Sequence, residues 1–184
     1  MEIYLIRHTT PKIDEGICYG QTDLEVTTDF AEEVQKIRDQ VSFDNSTKIY
    51  SSPLQRCIKL AETFELPVQI EDRLMEVDFG QWELKKWSEI PDSDLNPWME
   101  NFVEAAPPQG ESYLEVQERV LSFFSEILQS KYSTILLCTH ASPIRLLLAH
   151  IQNIALKDSF EIKVAYGQVF KIKYDKKKLY LIPQ

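Results

Sequence analysis

No apolar run in the chain approaches the length needed to cross a bilayer. The opening Met1-Glu2-Ile3-Tyr4-Leu5-Ile6 is apolar but meets Arg7 at once. It has neither a basic segment before it nor a small-residue cleavage signal after it, so it reads as a strand rather than a targeting segment. Cysteine is scarce as well. Cys18, Cys57 and Cys138 form an odd set without Cys-x-x-Cys spacing, each flanked by apolar or strand-like residues, the pattern of buried free thiols. These absences point to a reducing, cytoplasmic setting. Positive charge is sparse too: the net charge is −9, and Lys176-Lys177-Lys178 is the one basic block. That balance argues against nucleic-acid binding, which draws its affinity from a basic surface. An enzyme for anionic substrates would have to concentrate its few cations in the site. No solenoid-period repeat, low-complexity tract or linker divides the 184 residues, so one domain over residues 1–184 is expected.

What is present alternates between strand and helix signals. Residues 2–7 read as a buried strand, and a loop containing Gly, Thr and Asp follows to about Thr27. Phe30, Val34, Ile37 and Val41 recur at helical spacing. Lys48-Ile49-Tyr50-Ser51 reads as a second strand, running into a helix opened by Ser52-Pro53, where a hydroxyl can cap and proline fits the first position. Val68-Gln69-Ile70 is a short strand. Ser112 and Glu115 have capping-box spacing ahead of a helix with Val116, Val120, Phe123, Phe124 and Ile127 on one face. The most strand-like run, Ile135-Leu136-Leu137-Cys138, leads to a second Ser-Pro helix start at Ser142-Pro143, and strand signals recur near 168–174 and 179–182. Residues 81–110 differ in kind, with Trp82, Trp87, Trp98 and Phe102 set among prolines and acids. They read as a partly helical excursion laid over the sheet, a candidate lid. The alternation predicts an α/β sandwich with a mostly parallel sheet.

Of the three histidines, two occupy equivalent places: His8 ends the first strand and His140 ends the strand Ile135–Thr139. Ligands of open α/β sheets lie beyond the carboxyl ends of the strands. One such histidine would read as a core residue; two, with an arginine beside one of them, read as functional. Arg7 closes an apolar strand, where a guanidinium needs an anionic partner. Arg56 falls in the first turn of the helix after Lys48–Ser51, a position that favours anions through the free N–H groups. Two guanidiniums can clamp a phosphate through paired hydrogen bonds. For Arg56 taken alone, a surface salt bridge accounts for the residue equally well.

These residues resemble the histidine phosphatase superfamily, and the resemblance runs over nearly the whole chain. Arg7-His8-Thr9 matches its Arg-His-Gly opening, and Ser51-Ser52-Pro53-Leu54-Gln55-Arg56 its Ser-x-Leu-x-Arg element. Leu74–Glu83 matches Leu-x-Glu…Phe-Gly-x-Trp-Glu, and Thr139-His140-Ala141-Ser142 its Thr-His-Gly-Gly closing element. Thr9, Ala141 and Ser142 stand where the family usually has glycine. The resemblance implies the phosphoglycerate mutase-like fold, a three-layer α/β sandwich with a mostly parallel central sheet. It implies His8 as the nucleophile that forms a phosphohistidine. Arg7, Arg56 and a protonated His140 would hold the equatorial oxygens, and Glu76 would act as general acid and then base. Asp78 is a weaker candidate for the cleft. Glu83 and Arg145 look structural in the family pattern, and Glu111 a brace. The cations come from side chains, so no metal or other cofactor is expected, and His150 is left without ligand partners.

A narrower resemblance covers the loop Ile17-Cys18-Tyr19-Gly20-Gln21-Thr22-Asp23-Leu24, the Arg-His-Thr-Thr-Pro opening and Phe-Gly-x-Trp-Glu. It looks like the α-ribazole phosphatases, which remove the 5′-phosphate of α-ribazole phosphate in the nucleotide-loop assembly of cobalamin. On that reading Tyr19, Gln21 and the tryptophans of 81–110 are candidate contacts for an aromatic ring of the substrate, with a core role favoured for the tryptophans. The expected partner is a small phosphomonoester, with neither nucleic acid nor membrane. The competing functions are a phosphatase of another small ester, a phosphoglycerate mutase-like isomerase and a non-catalytic phospho-ligand-binding module.

Overall fold

The computed structural model describes residues 1–183. Among them a six-stranded sheet forms from β1 (Glu2–Arg7), β2 (Lys48–Ser51), β3 (Val68–Ile70), β4 (Thr134–Thr139), β5 (Val169–Asp175) and β6 (Lys178–Ile182). Their spatial order is β3-β2-β4-β1-β5-β6. The first four strands in that order run parallel, and β5 and β6 add an antiparallel edge. The sheet is therefore mostly parallel, as the alternation predicts.

β1 and β4 are apolar on both faces because helices cover both sides. Tyr4 and Ile6 of β1, with Leu136 and Cys138 of β4, face a core closed by α1 (Phe30–Arg38) and α2 (Gln55–Glu62) through Val34, Ile37, Cys57 and Leu60. The intervening Ile3, Leu5, Ile135 and Leu137 face the opposite core. α3 (Asp92–Glu100) lies within the tryptophan-rich excursion, and the second core is closed by α4 (Tyr113–Ile127) and α5 (Ala141–Gln152). Three layers result.

The capping box at α4 forms in full: the Glu115 carboxylate accepts from the Ser112 N–H at 2.7 Å, and the Ser112 hydroxyl oxygen accepts from the Glu115 N–H at 3.3 Å. The two Ser-Pro starts form differently from expectation. α2 begins at Gln55 behind Leu54; the Ser52 hydroxyl oxygen accepts from the Leu54 N–H at 3.4 Å and also lies 2.8 Å from His140 Nε2. α5 begins at Ala141, with His140 at the N-cap and Pro143 inside the first turn, where its missing N–H costs nothing. The excursion is partly helical, and its Phe102 packs on the core beneath α4 and α5. Its core joins Trp82, Ile90 and Cys18 with Phe79, Trp87, Leu95 and Trp98, and contains no strand residue. It is stitched to the loop after β1, where Cys18 donates to the Lys85 carbonyl and Leu84 to that of Cys18. Among the described residues, no helix is long and apolar enough to cross a membrane.

Candidate active site

β1 and β4 are neighbours with Arg7 opposite Thr139, so the residues that follow them emerge side by side. His8 and His140 meet there, with ring centroids 5.0 Å apart and planes inclined at 62°. Both are fully buried. The His8 Nδ1 lies 2.7 Å from the carbonyl oxygen of Thr9. A carbonyl can only accept, so Nδ1 carries the proton, and the neutral ring keeps its lone pair on Nε2. Burial, followed by the charges of Arg56 and Arg7, holds the His8 pKa well below the usual histidine value. The ring is thus kept in the form that can attack.

His140 Nε2 lies 2.8 Å from the Ser52 hydroxyl and 3.4 Å from Cys57 Sγ. Its pKa is likewise driven well down, by burial and then by Arg56, His8, Arg7 and Arg119. That direction runs against the protonated His140 expected from the resemblance. The cause is burial first, with the surrounding positive charge adding to it.

Two guanidiniums supply most of that charge. Arg7 donates to the Val164 carbonyl at 2.6 Å, and its Nε has no partner. Arg56 is completely buried; it donates to the carbonyls of Thr22 and Gly20 at 2.8 and 2.6 Å, and its Nε is also unpartnered. Among the described residues, neither arginine forms an ion pair with a carboxylate. A buried cation without a counter-charge is costly, and an anion supplied from outside is the natural remedy.

A cavity of about 180 Å³ opens at this point, walled by Arg7, His8, Tyr19, Glu76, Ser142 and Arg145 among others. Arg56 and His140 do not line it; each is fully buried. Glu76 reaches the cavity from the loop after β3. Its carboxylate accepts from the Val77 N–H at 2.9 Å and from the Ser142 N–H, in the first turn of α5, at 3.2 and 3.3 Å. Ser142, at a position where the family usually has glycine, thus serves through its backbone. Arg119 fixes the segment, donating to the carbonyls of Arg73, Met75 and Glu76 while pairing with Glu111.

The remaining expected residues separate. Tyr19 lines the cavity, but Gln21 does not: its side-chain amide donates to the Glu76 carbonyl and to Glu111, so it is a brace rather than a substrate contact. Asp78 accepts from Gly80 N–H at 2.7 Å and closes a turn. Glu83 accepts from the backbone of Gln21 and Thr22, holding the loop that carries Tyr19. Burial raises its pKa, but the hydrogen bonds from Thr22, Gln21 and Phe79 outweigh that and leave it below the usual value. The same loop explains Gly20, where a Cβ would lie 1.8 Å from the Val77 carbonyl oxygen. Trp82 is buried in the excursion's core, whereas Trp87 also lines the cavity. All three cysteines are free and buried. No group of three or more metal-ligating side chains forms among the described residues.

The model of the histidine phosphatase superfamily (branch 1) matches residues 3–182. The chain belongs to that family. The adenosylcobalamin/alpha-ribazole phosphatase of Escherichia coli is 28% identical over 91% of this chain and 87% of its own. Phosphoserine phosphatase 1 of Hydrogenobacter thermophilus is 26% identical over 85% and 78%. The crystal structure of the alpha-ribazole phosphatase from Shigella flexneri superposes with a TM-score of 0.88 at 26% identity, covering 99% of this chain and 95% of that one.

Three residues outside the expected catalytic and substrate-binding set also shape the site. Tyr166 lies under Arg7, with the guanidinium carbon 3.8 Å from its ring centroid, and its centroid is 5.6 Å from that of His8. The β1–β5 pairing brings it there: Gly167 donates to the His8 carbonyl and Arg7 to that of Gln168. Ser52 positions His140. Arg145, read from the sequence as structural, donates to the Ile162 carbonyl and also walls the cavity.

Proposed function

We propose that the protein is a phosphomonoesterase acting through a phosphohistidine on His8, with α-ribazole 5′-phosphate of cobalamin nucleotide-loop assembly as its substrate. The observation that carries the first part is the neutral His8, with its free Nε2 beside two guanidiniums that have no carboxylate partner. A phosphate dianion supplies a counter-charge and offsets the positive field that, after burial, lowers the His140 pKa. His140, its ring beside that of His8, then takes up a proton and adds positive charge behind the equatorial oxygens. Nε2 attacks phosphorus in line, the P–O bond to the leaving group breaks, and Glu76, entering the step in its acid form, gives the departing alkoxide its proton. Glu76 then accepts a proton from the water that attacks phosphohistidine, releasing inorganic phosphate and restoring His8.

The substrate assignment rests on the loop 17–24 and on the likeness to the two alpha-ribazole phosphatases. The likeness to phosphoserine phosphatase 1 favours phosphoserine as the second reading. Glu76 is the one carboxylate lining the cavity, and the reaction needs it to deliver a proton, which leaves a substrate ammonium without an ionised partner there. The test is phosphate release from α-ribazole 5′-phosphate, phosphoserine and 3-phosphoglycerate in the presence of EDTA. The proposal requires the highest kcat/KM with α-ribazole 5′-phosphate. A higher value with phosphoserine would replace that substrate, and isomerisation without phosphate release would replace the reaction.

A further inference from the structure

A second and larger concavity adjoins the catalytic one. It measures about 1010 Å³ and is built mainly by residues of the loop from Thr10 to Tyr19. The two share Ile17 and Tyr19. At their junction the Tyr19 hydroxyl lies 2.5 Å from that of Tyr166, whose ring supports Arg7. The aromatic pair therefore touches the phosphate-binding arginine on one side and the groove on the other. Burial, then the contact with Tyr166, keeps the Tyr19 hydroxyl protonated by raising its pKa.

Size separates the roles of the two spaces. Pockets that enclose drug-sized ligands run roughly 300–1,000 Å³. The catalytic cavity, at about 180 Å³, falls short of that range, while the groove reaches its upper end. The phosphoryl group must lie within reach of His8, which leaves little of the small cavity for anything else. Chemistry points the same way. Pro11, Ile13, Leu24 and Leu84 give the groove an apolar lining, while Lys12 and Asp14 supply polar edges. A flat ring system with hydrogen-bonding edges fits that combination better than a compact polar ester.

We infer that the substrate spans both spaces, with its phosphoryl group at His8 and a nucleoside-like, ring-bearing leaving group lying in the groove beyond the Tyr19–Tyr166 pair. This deepens the proposed function and rests on it for the placement of the phosphate. Leu24 and Leu84 then determine specificity, since they touch the leaving group and not the phosphoryl group.

The test reads binding rather than turnover, on His8→Ala protein, so that it stands apart from the proposed reaction. Dissociation constants for α-ribazole 5′-phosphate and for ribose 5-phosphate, which lacks the ring, are measured by calorimetry. The same pair is measured after adding Leu84→Arg or Leu24→Arg. Leu84 is 58% exposed, so its substitution leaves folding intact even if that at the half-buried Leu24 does not; circular dichroism checks both. Both esters carry the same phosphate, so the added charge cancels in their ratio. The ring-bearing ester should bind at least tenfold more tightly, and each folded variant should reduce that advantage at least fivefold. An advantage absent from the parent, or unchanged in a folded variant, overturns the groove assignment even where wild-type protein proves to be a phosphatase. Absence of phosphate release with the binding ratios as expected overturns the reaction and leaves the groove assignment standing.

Discussion

His8 and His140 stand edge to face, with centroids 5.0 Å apart, each the first residue beyond one of two adjacent parallel strands. Neither has a carboxylate partner, and both are flanked by arginine charge. The pair is stable as two neutral rings, and that has a consequence for the whole fold.

Both imidazoles have folded-state pKa values below the ordinary 6.5. Below about pH 6.5 the unfolded chain therefore takes up protons that the native chain refuses, and stability falls with falling pH. Two such groups give at most ~2.7 kcal/mol per pH unit, at ~1.4 each. Urea unfolding between pH 7 and 5.5 should show this slope, before most carboxylates begin to titrate. His8→Asn should show about half of it. A flat profile over that window would mean that the rings accept protons in the native state.

Glu76→Gln keeps the shape of the side chain but cannot supply a proton. A sugar alkoxide leaves poorly without one, whereas nitrophenolate leaves readily. Single-turnover phosphorylation of His8 should slow by on the order of 10²–10⁴-fold with an alkyl phosphate and far less with p-nitrophenyl phosphate. Equal losses with both would remove Glu76 as the acid.

Arg119 donates to three consecutive-segment carbonyls, those of Arg73, Met75 and Glu76, at 2.8–3.0 Å, and forks onto Glu111. Arg119→Leu leaves these partly buried acceptors unpaired and should cost on the order of 1.5–3 kcal/mol in urea unfolding. It should also reproduce, in milder form, the leaving-group dependence of Glu76→Gln, because it displaces the acid without removing it. A variant as stable as wild type, with equal rate losses for both esters, would deny Arg119 that positioning role.

Much of this was legible in the sequence because the signals are local. Ile3–Ile6 and Ile135–Cys138 are too apolar for one-sided strands, and the residues after them, His8 and His140, follow directly from the strand ends. What escaped depends on distant partners. Tyr166 reaches Arg7 only through the antiparallel pairing of β5 with β1. Gln21 sits in a matching loop, yet the carbonyl of Glu76 and the carboxylate of Glu111 claim its amide. The charge state of His140 follows from burial and from four surrounding groups, none of which is its neighbour in sequence.

The central claim is a covalent bond between His8 and phosphorus. Protein mixed with labelled substrate, quenched in alkali within one turnover and digested, should yield phosphate on the peptide containing His8. That label should be stable to base, labile to acid and absent from His8→Ala, which should also lack turnover. Wild-type turnover with no label at His8, or turnover by His8→Ala at the wild-type rate, would contradict the account.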